Sequence, residues 1–176
     1  MFDGETFPAA SAYDTICAPL GTVTDAPTPS GCEVILTTTT VMPACDIGQV
    51  LTIDAYGLPR FTGRISDIRV SHLTDGTGRV TITGTGVAAD LGLIAVTPSA
   101  WPAETSGARA GRILTAAGFT VYEATGSINV LAKTAATAYA LDLLTELGDD
   151  TGAAVVDTPG GAILFQDLEG RAQSYI

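Results

Sequence analysis

The sequence predicts an α+β fold: a β-rich half, built as a small barrel or sandwich, followed by two helices and a C-terminal β-hairpin. Three observations carry this. Residues 32–96 break into short β-branched runs separated by turn signals. Arg79–Thr83 alternates cleanly, with Val80 and Ile82 on one side and Thr81 and Thr83 on the other. Beyond Pro102 the apolar period lengthens to that of helices.

Residues 1–31 hold Pro8, Pro19, Pro27 and Pro29 and little apolar periodicity. Proline removes backbone donors and interrupts helices, so this stretch is expected to be an extended arm with at most short strands. The β-rich domain is expected over 32–100. Val34-Ile35-Leu36 leads into Thr37–Thr40, and Val50–Ile53 follows the turn at Asp46-Ile47-Gly48. Gly57-Leu58-Pro59 reads as a turn. Phe61, Gly63, Ile65 and Asp67 then alternate with Thr62, Arg64, Ser66 and Ile68, and Asp75-Gly76-Thr77-Gly78 is a hairpin signal. The expected core is Val34, Ile35, Val50, Ile53, Phe61, Ile65, Val80 and Ile82. Gly63 falls on the same face as Phe61 and Ile65, where a missing side chain leaves room for a neighbouring backbone or ring.

A second domain is expected over 101–176. Thr105 or Ser106 caps a helix with apolar positions Ala110, Ile113, Leu114 and Ala117, and Gly118 stops it. A strand at Phe119–Tyr122 and a turn at Thr125-Gly126-Ser127 lead to a second helix, Thr134 to Leu147, ended by Gly148. Ala153–Asp157 and Ala162–Gln166 form the hairpin. Leu168–Ile176 closes on an apolar pair with no capping element, so continuation beyond Ile176 is expected. Trp101, between Pro98 and Pro102, is either an anchor between the two parts or a core aromatic.

Composition excludes several functions. The 176 residues carry 8 Lys plus Arg against 19 Asp plus Glu, a formal charge of −11. Nucleic-acid binders draw affinity from cations that neutralise phosphates, so neither DNA nor RNA is an expected ligand. An anionic membrane surface is disfavoured for the same reason. Apolar residues reach 46% and charged residues 15%, the reverse of a disordered chain. So low a charged fraction points to a Thr- and Gly-rich surface or to one covered by partners. No apolar run is long enough to span a membrane, and acidic Asp3 and Glu5 do not fit a signal peptide.

The candidate chemistries are weak. Cys17, Cys32 and Cys45 have neither zinc nor disulfide-framework spacing and read as reduced, buried thiols. Gly84-Thr85-Gly86-Val87-Ala88-Ala89 matches a dinucleotide fingerprint, but Gly92 and Pro98 leave no room for the crossover helix. It reads as a strand-exit turn. Asp149-Asp150 lacks calcium-loop spacing and is expected in a solvated loop. His72 is the single histidine and has no partner pattern around it. No catalytic, cofactor or metal residue is therefore expected. Arg60, Arg64, Arg69 and Arg79 are four of the 8 cations and lie in one strand system. They are candidates for a subunit interface, the alternative being that each balances a local acid such as Asp67 or Asp75.

The ordered series 46–53, Phe61-Thr62-Gly63-Arg64-Ile65-Ser66-Asp67-Ile68, Val80-Thr81-Ile82, Asp90-Leu91, two helices and a terminal hairpin resembles the N-terminal hub region of minor tail proteins of tailed bacteriophages, particularly those of actinobacteria. The resemblance covers roughly Cys32 to Gln166 and carries no catalytic residues. It implies an antiparallel hub or tube-like β-barrel and a non-enzymatic role at the phage tail tip. It further implies a self-assembled ring, generally a trimer, in contact with distal tail and tape measure proteins, and a lumen through which DNA passes unheld. The rival within the same class is a distal-tail or tube ring, expected as a hexamer. Outside it stand a carbohydrate-binding module, which the 6% aromatic content disfavours, and a hydrolase.

Overall fold

The computed structural model describes residues 13–17, 30–38, 44–72, 78–97, 100–134 and 136–167. The rest of the expected arm, the turn at Asp75-Gly76-Thr77, Pro98 and the stretch Leu168–Ile176 lie outside the described residues. The described chain forms two compact units, with Gly86 the last residue of the first main segment and Val87 the first of the next.

The first unit is one antiparallel sheet. Its strands are Tyr13–Cys17 (β1), Gly31–Thr38 (β2), Val50–Ala55 (β3), Leu58–His72 (β4) and Gly78–Gly86 (β5), in the order β1-β2-β5-β4-β3. β4 is 15 residues long and serves two partners. Its first part pairs with β3 and its second with β5, the two ladders overlapping at Gly63 and Arg64. Bulges interrupt both ladders, after Ile53 on the β3 side and after Ile65 on the β5 side. Such insertions bend a strand and increase its twist, and the sheet curls into a half-barrel. A closed barrel would require its edge strands to pair. Among the described residues β1 pairs with β2, β3 pairs with β4, and the sheet is open.

The concave core holds Cys32, Val34, Leu36, Leu51, Ile53, Phe61, Ile65, Val80 and Ile82. Each large apolar side chain buried there contributes roughly 1.5–3 kcal/mol. Two expected members fall elsewhere. Val50 stands opposite Arg64 and is 48% exposed. Ile35 pairs with Thr81, in the opposite parity to the Val34–Ile82 pair, and is buried apart from this cluster. The bulge after Ile65 also changes the expected alternation. It pairs Ile68 with Ile82 and turns it to the core, leaving Asp67 on the other face opposite Thr83. The turn before β4 is Tyr56-Gly57, with φ of 56° and 76°, so Leu58 and Pro59 already belong to the strand.

The second unit begins with a 3-10 turn, Val87–Gly92, and continues through Ala95–Val96 (β6), Glu104–Thr105 (β7), Ser106–Ala116 (α1), Tyr122–Thr125 (β8), Asn129–Val130 (β9), Ala138–Tyr139 (β10), Ala140–Thr151 (α2), Ala154–Asp157 (β11) and Ile163–Gln166 (β12). The β11–β12 hairpin is joined by β8, which runs parallel to β12. The helices bury Ile113, Leu114, Leu144 and Leu147 with Trp101 and Phe165.

α1 forms as its sequence dictates. The Thr105 hydroxyl accepts from the Ala108 N–H at 3.3 Å. At the other end Gly118, with φ of 86°, donates to Thr115 O while Phe119 N donates to Leu114 O, a Schellman motif. α2 departs from expectation at both ends. Ala138 and Tyr139 pair with Val96 and Ala95, and this tertiary ladder displaces the expected first turn. Gly148 stays helical, 3.2 Å separating its would-be Cβ from Ala153 O, and the stop falls on left-handed Gly152. The strand expected at Phe119–Tyr122 begins at Tyr122 instead.

Candidate assembly surface

Strand register settles where the four arginines sit. Arg64 faces Val50 on one side and Thr85 on the other. Arg69 faces Thr81, and Arg79 faces Ser71 and Thr37. In each pair the parity is opposite to that of the buried Phe61, Ile65, Val80 and Ile82, so these three share the outer, Thr-rich face of the sheet. Arg60, exposed, stands in the bulge beside it. Arg64 Nη1 donates to Gly48 O at 3.3 Å. Arg69 Nε donates to Asp67 Oδ2 at 2.7 Å, with the two side chains 80% and 42% exposed. An exposed pair of this kind contributes about 0–1 kcal/mol. Arg69 therefore has the local acid Asp67 beside it, while Asp75 lies outside the described residues.

In the second unit the cations are held close to home. Glu104 receives Arg109 Nε on Oε1 at 2.7 Å and Arg112 Nη2 on Oε2 at 2.8 Å. Arg109 also donates to Pro102 O and Leu131 O and lies 5.3 Å from the Trp101 ring centroid. Burial pushes the Glu104 carboxyl up, but hydrogen bonds and charge from Arg112 and Arg109 outweigh it and hold the group below its ordinary range. Lys133 Nζ donates to the Glu146 carboxylate on α2. Trp101, Leu131, Lys133, Leu143, Glu146 and Asp150 line part of an open groove of about 360 Å³. Trp101 is 3% exposed and belongs to the core of this unit. Asp149 and Asp150, expected in a loop, occupy the last turn of α2.

Asp167 is a structural carboxylate that sequence reasoning missed. It is fully buried, and its Oδ2 accepts from Ser106 Oγ at 2.8 Å, Ser127 N at 2.9 Å and Ile128 N at 3.2 Å. Asp157 Oδ1 likewise accepts from Ala88 N at 2.7 Å, at the start of the 3-10 turn. A lone Asp near a strand end gives no local signal of such a role. Pairing Asp167 with Ser106 required knowing that β12 lies beside β8.

The other candidates resolve as structure. Gly84 lies inside β5, packed where a Cβ would meet Cys32 Sγ and Leu51 Cδ2 at 2.7 Å, and a 3-10 turn follows in place of a crossover helix. Cys32 is a buried free thiol and Cys45 is half-buried; the Cys17 side chain lies outside the described residues. His72 is exposed at the end of β4. Among the described residues no group of three or more His, Cys, Asp or Glu is placed to hold a metal, and no helix is long and apolar enough to cross a membrane.

No family model matches this sequence, and no curated protein matches it. Solved structures do. The 43 kDa tail protein of prophage MuSo2 from Shewanella oneidensis superimposes with a TM-score of 0.75 at 16% identity, over 94% of this chain and 53% of that one. Its fold is that of a phage tail protein. A tail protein from Neisseria meningitidis shares it at a TM-score of 0.63 and 13% identity, over 80% of this chain and 43% of that one. So does the E. coli c3393 protein, at 0.58 and 14%, over 95% and 48%. That protein is described as a component of the type VI secretion system with structural similarity to the T4 bacteriophage tail proteins gp27 and gp5. The chain spans about half the length of these structures. Within this tail-protein fold the arginine face lies on the sheet unit, and the Glu104, Asp157 and Asp167 contacts brace the helical one.

Proposed function

We propose that this chain is a structural component of a long-tailed phage tail, forming a ring-shaped hub at the tail tip that continues the tail tube and connects it to the host-recognition apparatus. The observation that carries this reading is a fold shared over 94% of the chain with a prophage tail protein. The sheet supports it as well. A half-barrel whose outer strands β1 and β3 are each paired on one side among the described residues, with a Thr- and Arg-covered outer face, is suited to burial against copies of itself, which would cover those edges. The ring is a homotrimer, closed through the face bearing Arg60, Arg64, Arg69 and Arg79, and its neighbours are the distal tail and tape measure proteins. It holds no cofactor and performs no catalysis. Its excess of carboxylates lets DNA pass the lumen without being held.

The test is electron microscopy of the native particle with this chain labelled. Three-fold density at the tail tip is expected. Six-fold density would assign the chain to a distal-tail or tube ring instead. Specific retention on a glycan array without incorporation into a tail would replace assembly with carbohydrate binding.

A further inference from the structure

We infer that the arginine-bearing outer face of the β4–β5 sheet docks against the carboxylate edge of α2 in a second copy of this chain. The inference rests on the assembly reading above and names the surface that those arginines meet.

Charge supplies the first argument. At a formal charge of −11, two copies brought together at random repel one another. A contact between copies is favourable where a cationic patch of one meets an anionic patch of the other. In the helical unit Arg109 and Arg112 are committed to Glu104, and Lys133 to Glu146. The sheet face carries the remaining cations among the described residues. Arg60 and Arg79 form no ion pair with a described residue, and the Arg69 contact with Asp67 is open to solvent and readily exchanged.

The second argument is the shape and setting of α2. Its sequence ALDLLTELGDDT contains no Lys or Arg. Leu143, Leu144 and Leu147 are buried, while Asp142, Glu146, Asp149 and Asp150 are exposed. Spacings of four and three residues put Asp142, Glu146 and Asp149 in one row along the helix; Glu146 is already paired with Lys133, so Asp142, Asp149 and Asp150 carry the charge left for a partner. Asp149 and Asp150 add negative charge where the helix dipole is already negative, a conflict that an external guanidinium relieves. From Asp142 to Asp150 the helix rises about 12 Å. From Arg60 to Arg64 β4 advances about 13 Å. The Arg60–Arg64 pair at one end of the face therefore spans about the length of the α2 carboxylates and carries the opposite charge.

The contact joins different surfaces on the two copies. Every subunit offers both halves, so the interaction can repeat from one copy to the next. Exposed pairs fix orientation more than affinity and weaken as salt rises.

The full-length chain tests this by sedimentation, up to about 1 mM and in low and high salt. Salt-sensitive self-association is expected. Reversing the face with Arg60→Glu plus Arg64→Glu, or the helix with Asp149→Lys plus Asp150→Lys, is expected to weaken it roughly tenfold. All four changes in one chain are expected to restore it, with unchanged circular dichroism throughout. A wild-type chain that stays monomeric in low salt overturns the pairing, as do reversals without effect or a combination without rescue. The particle images separate the two readings. A ring of this chain whose subunits ignore the reversals removes the α2 contact and leaves the ring, whereas tails lacking the chain remove the ring itself.

Discussion

Asp167 and Ser106 are 61 residues apart in the chain and joined by a 2.8 Å hydrogen bond in the interior. The contact fastens the end of β12 to the first turn of α1, and the same carboxylate oxygen holds the backbone N–H groups of Ser127 and Ile128. Replacing Asp167 by Ala strands three buried or half-buried donors. The expected loss is about 3 kcal/mol or more. Trp101 is the single tryptophan and lies in the same unit, so its fluorescence during urea unfolding measures the effect directly.

Glu104 gives a pH prediction. Its folded carboxyl is held below the ordinary value of 4.5 by two guanidinium groups. Its stabilising contribution is therefore complete above the unfolded value and declines as pH falls through the lower folded one. Stability should drop on acidification below about 4.5, and Glu104→Gln should flatten that part of the profile. At neutral pH the substitution leaves the buried Arg109 without its counter-charge, at an expected cost of about 3 kcal/mol.

Gly63 and Gly160 form a matched pair. A Cβ at Gly63 would collide with the Thr85 carbonyl oxygen and come within 2.7 Å of Phe61 Cζ. Gly63→Ala is expected to cost about 3 kcal/mol or more, because the β4–β5 ladder must part to admit the methyl group. A Cβ at Gly160 meets nothing within 4 Å, so Gly160→Ala should stay within about 0.5 kcal/mol of the parent. Thermal melts of both variants check this.

Burial pushes the Cys32 thiol up to about 11, partly offset by a backbone hydrogen bond with Gly84. The folded state therefore holds this proton more tightly than the unfolded one, a contribution present at neutral pH and lost as pH climbs through about 11. The thiolate is scarce at pH 8, so iodoacetamide should spare Cys32 in the native chain and label it in urea. Mass spectrometry of the labelled peptides reads the difference.

Much of this fold is visible in local pattern. Val80 and Ile82 alternate with threonines and are fully buried, Thr105 and Gly118 bracket α1, and the gap left by Gly63 is filled by Phe61 and Thr85. Features set by distant partners were hidden. The bulge after Ile65 follows from pairing with β5; read without it, the alternation placed Asp67 inside and Ile68 outside. Thr134–Tyr139 is compatible with a helix until Val96 and Ala95 claim Ala138 and Tyr139. The arginines could be grouped from the sequence, but their common face depended on the same register. Asp149 and Asp150 are adjacent carboxylates in the sequence, yet placing them on a helix requires knowing that Gly148 does not end it.

The pairing order also dictates how the sheet comes apart. Among the described residues β3 is stitched to β4 alone and β1 to β2 alone, whereas β5 is clasped on both flanks by β2 and β4. Fraying starts at the two margins and reaches the middle last. Amide protons of β5 around Val80 and Ile82 should be the slowest in this unit to trade for deuterium, and a mechanical pull on the β3–β4 hairpin would unzip that margin while the central seam still held.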